Sequence, residues 1–277
     1  MPDNTARNLL IALGILAAIS FMLPWLAGND PLQVDLSVRL TPPGTMHWLG
    51  TDDLGRDLYS RIMHGAALTV TVSVAALVSS IFLGATLGAI GGYYYGRWPD
   101  RILVWAIDFL TAIPFLLVIA AILSVIGPSL GRAYLVLIAI MWTNTARIVR
   151  AEVIRTMPLD YITAERALGV AEWRVLFITA LPGCLNTAFV FSVSYLPEII
   201  ALEAGLSFLG LGVQPPRPGL GKMIFDGVNY LGSAWWMALF PALALFLIVL
   251  GVQAMAAYGR RRWKVDRVDM QTGVHND

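Results

Sequence analysis

The stretch LTVTVSVAALVSSIFLGATLGAI, from Leu68 to Ile90, contains no charged residue and no proline. At a rise of about 1.5 Å per residue, a helix of this length crosses the ~30 Å hydrocarbon core of a bilayer. In lipid every backbone N–H and C=O must be satisfied within its own segment, so the run is read as a helix. Further apolar stretches lie at Leu9–Leu26, Ile102–Ile126, Ala133–Ile148, Leu176–Ile200 and Ala234–Tyr258. Together they predict an all-α membrane protein with six transmembrane helices. The composition agrees, because 57% of the 277 residues are hydrophobic and only 13% are charged, about half the charge of an average soluble domain.

Basic residues set the orientation. Arg7, then Arg97 and Arg101, then Arg147, Arg150, Arg155, Arg166 and Arg174, then Arg260, Arg261, Arg262, Lys264 and Arg267 fall in alternate connections. By the positive-inside rule both termini are expected in the cytoplasm. The outer connections are then Gly28–Ala67, a turn at Gly127–Arg132, and Glu203–Ser233. The first span imitates a secretory signal, with Arg7 before a short apolar core and Pro24 ahead of Ala27 and Gly28. It is expected to remain as a helix, because the charge bias of the other five requires it. The fourth span is short, and Asn144 and Arg147 near its end suggest an exit into an aqueous or protein-covered region. Gly84, Gly88 and Gly92, four apart, offer a face for close helix contact. Pro114, Pro182 and Pro241 permit kinks in the third, fifth and sixth spans.

Chemistry of the usual enzymatic kinds is not encoded. There is no His-Glu-x-x-His and no cysteine pair. Gly221-Lys222 lacks both the first glycine and the Ser or Thr of a phosphate-binding loop. Cys184, the single cysteine, is expected to pack within an apolar run. His47, His64 and His275 share no ligand spacing and are assigned to surface or capping roles. The basic residues are too scattered for nucleic-acid binding.

The cytoplasmic connection from Arg150 to Arg174 is informative. Asp160 is expected to cap a short helix that Gly169 ends in a left-handed conformation. Tyr161, Ala164 and Leu168 follow the i, i+3, i+7 pattern of one apolar face, while Glu165 and Arg166 add charge. Such a helix suits either a partner's groove or the lipid headgroups. Asp108, within the third span, indicates a pathway or relay, or else a structural pair near the cytoplasmic edge, two turns from Arg101, or a hydrogen bond to a neighbouring helix. Glu198 and Glu203 stand at the outer end of the fifth span, where a binding partner, a cationic substrate or the interface alone would account for them.

The same segment resembles the ABC importer permeases, whose cytoplasmic loop carries an Ala-rich stretch, a glycine, and Leu-Pro about a dozen residues later. Tyr161 to Gly169, including Ala167, occupies that frame with Leu181-Pro182, and the usual Glu-Ala-Ala appears as Thr163-Ala164-Glu165. His47 to Asp57, with Gly50, Thr51, Asp52, Gly55, Arg56 and Asp57, followed by Ser60-Arg61, is similar to the segment before the second span in dipeptide, oligopeptide and nickel permeases. Glu203 to Pro216, with Ser207, Phe208, Gly210 and Gly212, is similar to their outer loop. The residues Gln253 to Tyr258 depart from the usual family ending.

The resemblance, closest to the second, C-type permease of dipeptide systems, implies a type I ABC importer transmembrane-domain fold. It implies an N-terminal transmembrane helix over 1–27, an extracytoplasmic segment over 28–65, a transmembrane core over 66–258 with a coupling loop at 150–175, and a cytoplasmic tail over 259–277. It also implies a location in the bacterial cytoplasmic (inner) membrane. Expected partners are a second homologous permease chain, two ATPase subunits and an extracytoplasmic solute-binding protein. No catalytic site, metal or cofactor is expected on this chain, since ATP and Mg would sit in the ATPases. Ala164, Ala167 and Gly169 would pack closely against an ATPase subunit, with Tyr161 and Leu168 beside them and Glu165 and Arg166 as polar contacts. The cargo would be di- or oligopeptides, or nickel and metal chelates. The rival classes are a membrane enzyme and a proton- or sodium-coupled secondary transporter, the latter with Asp108 as its one strong candidate coupling residue and no internal repeat in its support.

Overall fold

The computed structural model describes residues 4–272, and helices dominate it. Helix α1 (Asn4–Met22) runs into a 3-10 turn at Leu23–Leu26, and α2 (Leu58–Tyr93) follows a long connection. Then come α3 (Trp98–Ala112), α4 (Phe115–Ile126), α5 (Leu130–Thr156), α6 (Asp160–Ala167) and the single turn α7 (Glu172–Arg174). A π-helical turn at Val175–Ala180 leads into α8 (Leu181–Val193), α9 (Leu196–Phe208), α10 (Leu220–Val228) and α11 (Trp236–Thr272). Among the described residues the only β-type pairing is an isolated bridge between Thr51 and Asp57. His275 lies outside the described residues.

Thr5–Leu26, Leu58–Tyr93, Glu172–Val193 and Trp236–Arg262 are each long and apolar enough to cross a membrane. The expected third span is two helices, α3 and α4, bent by 88°. The cause is local. Pro114 has no N–H to continue the helical ladder and forces Ile113 into extended backbone (φ −103°, ψ 139°). The fifth span is likewise divided, with the chain turning through Ser194 and Tyr195 between α8 and α9. Pro197 takes the first turn of α9, where a missing N–H costs nothing. Pro241, by contrast, stays inside α11 without ending it. Helix α5 has ample length but carries Arg132, Asn144, Arg147 and Arg150, and it falls short of the apolarity of the other crossing helices.

Helices α2 and α5 form the centre. A Cβ on Gly84 would lie 2.6 Å from the carbonyl oxygen of Trp142, one on Gly88 2.5 Å from that of Ala146, and one on Gly92 2.8 Å from that of Arg150. Both series advance by four, so the two helices run parallel with their backbones in contact, and glycine is what permits it. Around this seam lies the largest apolar cluster, including Leu77, Ile119, Leu123, Leu137, Ile140, Leu196, Ile200 and Leu206. Cys184 is buried in a second cluster with Val149, Val153 and Ala188, its Sγ 3.6 Å from Thr156 Oγ1. We expect Gly88→Ala to force the seam apart at a cost of about 1–3 kcal/mol, visible as a lower unfolding temperature in detergent. Gly183→Ala is the control, because a Cβ there meets nothing within 4 Å and should leave that temperature unchanged or slightly higher.

Candidate coupling surface and interhelical clamp

Residues Val38 to Arg61 build a compact clamp at one end of the bundle. Asp57 caps α2, its Oδ2 accepting from the Ser60 N–H at 2.8 Å, and its Oδ1 lies 2.9 Å from His47 Nδ1. His47 therefore holds the capping residue and does not cap itself. Asp52 is the hub. Its Oδ1 accepts from the N–H groups of Leu54 and Arg56, both at 2.9 Å, and its Oδ2 pairs with Arg56 Nε at 2.6 Å and Arg61 Nε at 3.2 Å. Arg61 also donates to the Pro31 carbonyl at 3.0 Å, while Ser60 Oγ donates to the carbonyls of Ala27 and Asn29, both at 2.9 Å. The exit of α1 is thereby tied to the first turn of α2. All of Thr51, Asp52, Asp57, Ser60 and Arg61 are buried.

Two glycines admit this packing. Gly55 has φ +72° and sits directly against the Asp35 carbonyl, leaving no room for a side chain. A Cβ on Gly50 would stand 2.8 Å from Trp236 Nε1, and that indole N–H donates to the Thr51 carbonyl at 3.2 Å. The clamp thus bridges the start of α2 and the start of α11. The sequence separation of 185 between Thr51 and Trp236 is why local reading missed Trp236.

The second quoted segment folds beside it. Ser207 Oγ donates to Glu203 Oε1 at 2.9 Å and accepts from the Val213 N–H at 3.2 Å, while Gly212 packs against the Ser207 side chain. Gly210 (φ +75°) turns the chain after α9, Gln214 Nε2 donates to the Gly210 carbonyl at 2.9 Å, and Phe208 meets Phe225 edge-on. Glu203 is buried within this arrangement, which corrects its reading as a surface contact for a partner or substrate. Glu198 does remain exposed.

At the far end of α5, the short helix α6 begins at Asp160. The capping position belongs to Leu159, and no side chain caps the helix, so the expectation that Asp160 is the cap is corrected. Acidic Asp160 in the first turn still favours the helix dipole. Gly169 has φ +78°, as expected of the residue that ends it. Ile162, wholly buried with Val175 and Ala180, anchors α6 to the π-helical turn, a role that its single apolar side chain did not reveal in sequence. Tyr161, Ala164, Ala167 and Leu168 point away and stay exposed, Leu168 at 83%. Arg166 is engaged within the chain, 3.3 Å from Glu172 and over the Tyr93 ring, while Glu165 is half-buried. Leu181 and Pro182 open α8 directly after the π-helical turn.

Asp108 pairs with Arg147 of α5 at 3.8 Å, not with Arg101; the tertiary approach of α3 to α5 decides its partner. The neighbouring pair Asp100 and Arg150 is bidentate, with contacts of 2.5 and 2.9 Å. No group of three or more His, Cys, Asp or Glu suited to a metal occurs among the described residues.

The described residues thus form a helical unit with several segments long and apolar enough to cross a membrane, and one short helix, α6, whose apolar face is exposed. Residues 80–265 match the family model described as binding-protein-dependent transport system inner membrane component, and the chain belongs to that family. It is 36% identical over 250 residues to the dipeptide transport system permease protein of Alkalihalophilus pseudofirmus, covering 88% of this chain and 82% of the relative. It is 34% identical to the di/tripeptide transport system permease protein of Pseudomonas aeruginosa, over 87% of this chain and 84% of that one. It is 35% identical to the glutathione transport system permease protein of Pectobacterium atrosepticum, over 85% of this chain and 78% of that one.

Proposed function

We propose that the chain is one permease half of an ATP-driven importer of short peptides in the bacterial cytoplasmic membrane. The observation that carries this reading is the exposed apolar face of Tyr161, Ala164 and Leu168 on a helix whose opposite side is anchored by Ile162. A face of this kind, flanked by charge, fits the groove of a partner domain. In this reading the partner is an ATPase subunit. Closure of an ATPase pair on ATP would move α6 and rock the bundle between inward-open and outward-open states. The chain itself performs no chemistry, and ATP and Mg bind to the ATPases. A second homologous permease completes the pathway, and a solute-binding protein delivers cargo on the outer side. Six crossings with both termini in the cytoplasm follow if α3 with α4, and α5, each count as one. The names of the relatives, which concern dipeptides, tripeptides and glutathione, favour peptides over nickel as cargo.

The test is purification of tagged chain from membranes in mild detergent, followed by ATPase assay and reconstituted uptake. Recovery with a second permease and ATPases, and ATP-dependent uptake of a dipeptide, is the expected result. A chain that transports alone, without ATP, overturns the reading in favour of an ion-coupled transporter.

A further inference from the structure

One face of α5 carries polar and charged side chains at helical spacing. Asn144, Arg147, Ala151 and Arg155 follow one another by three or four residues; Asn144 is half-buried and the other three are exposed, Arg147 at 58% and Arg155 at 63%. Thr143, Thr145, Ala146, Val149 and Val153 in the same region are buried, while Ile148, Arg150, Glu152 and Ile154 are half-buried. Facing Arg147 is Asp108, itself 69% exposed.

Two open cavities lie along this line. One, of about 440 Å³, is lined by Thr111, Pro114, Met141, Asn144 and Glu198. The other, of about 400 Å³, is lined by Arg147, Glu152, Arg155, Thr187 and Phe191. Asn144 and Arg147, one turn apart, join them. The wall therefore presents a carboxylate at Glu198, an amide at Asn144, and a mixed pair at Asp108 and Arg147. Opposite signs separated by an amide match a ligand that itself has an ammonium, amides and a carboxylate.

We propose that this face of α3, α5 and α9 is the water-lined wall along which a zwitterionic peptide passes, with Arg147 engaging its carboxylate and Glu198 its ammonium group. The proposal rests on the importer reading above. The aromatic stripe of Trp98, Trp105 and Phe109 is also exposed, on a neighbouring side of α3, and Trp105, which lines neither cavity, serves as the control position.

The test uses the whole assembly purified from membranes, with Cys184→Ser as background, since Cys184 is the sole native cysteine. Asn144→Cys and Thr111→Cys should react with a charged methanethiosulfonate during ATP turnover and be protected by peptide-loaded binding protein, while Trp105→Cys should not react. Arg147→Gln should lower dipeptide uptake about tenfold, as for loss of one charge-assisted hydrogen bond, with ATPase activity and subunit recovery retained. Cysteines at 111 and 144 that stay unreactive throughout the cycle overturn the proposal. So does unchanged uptake by Arg147→Gln, or loss of the second permease from the assembly, which would make the face a subunit interface. Reactive, unprotected cysteines in an assembly that moves no peptide would keep the aqueous wall and fail the peptide reading instead.

Discussion

Leu168→Glu is expected to abolish ATP-driven uptake while leaving the chain inserted, folded and paired with its second permease. The side chain is 83% exposed, so the subunit loses nothing of its own core. In a complex with an ATPase subunit the leucine would become buried, and removing a fully buried leucine side chain forfeits about 1.5–3 kcal/mol. A glutamate in its place adds the cost of desolvating an unpaired carboxylate, of order several kcal/mol. The sum weakens docking by well over ~100-fold, since each ~1.4 kcal/mol is a factor of ten. The measurement is ATPase recovered with the tagged chain, together with uptake. Gly169→Glu should give the same loss by a different route: any L-residue at φ +78° is strained by about 1–2 kcal/mol, and the new carboxylate stands where a Cβ meets nothing of this chain. Gly169→Ala carries only the strain and should retain partial uptake. Wild-type recovery of ATPase by Leu168→Glu would show that α6 lies on the headgroups and does not dock.

Asp52→Ala is the substitution expected to unsettle the clamp most. The carboxylate is buried and faces two cationic side chains, Arg56 at 2.6 Å and Arg61 at 3.2 Å, as well as two backbone N–H groups. Its removal strands Arg61, itself buried, and breaking such a pair from one side costs about 3–5 kcal/mol. Thermal unfolding in detergent should fall by many degrees, and little intact protein should reach the membrane at growth temperature. Arg61→Met in the same chain should recover part of the loss, because the stranded charge goes with it; a double-mutant cycle isolates the coupling. Equal unfolding temperatures for Asp52→Ala and the wild type would remove the clamp from the account.

The Asp52 hub also shows where reading the chain stops. Its segment was legible as a motif, Gly50 to Asp57 with Ser60 and Arg61, yet nothing in it names Arg61 as the buried partner or Trp236 as the roof. Those contacts arise only when α1, α2 and α11 converge.

The class is legible in the chain alone: uncharged runs long enough to cross lipid, backbones that must bond within themselves, a left-handed stop at Gly169, and small residues at Gly84, Gly88 and Gly92 for close approach. Each follows from a period or a residue type that acts over one or two turns. The tertiary structure decided the rest. It set the angle at the break that Pro114 makes in the third span, and it turned the fifth through Ser194 and Tyr195. It gave Asp108 to Arg147 and not to Arg101, because a charge takes the partner that another helix brings to it. It buried Ile162 and turned Tyr161 and Leu168 outward, since an amphipathic period shows that two faces exist while the neighbours on either side settle which one is covered.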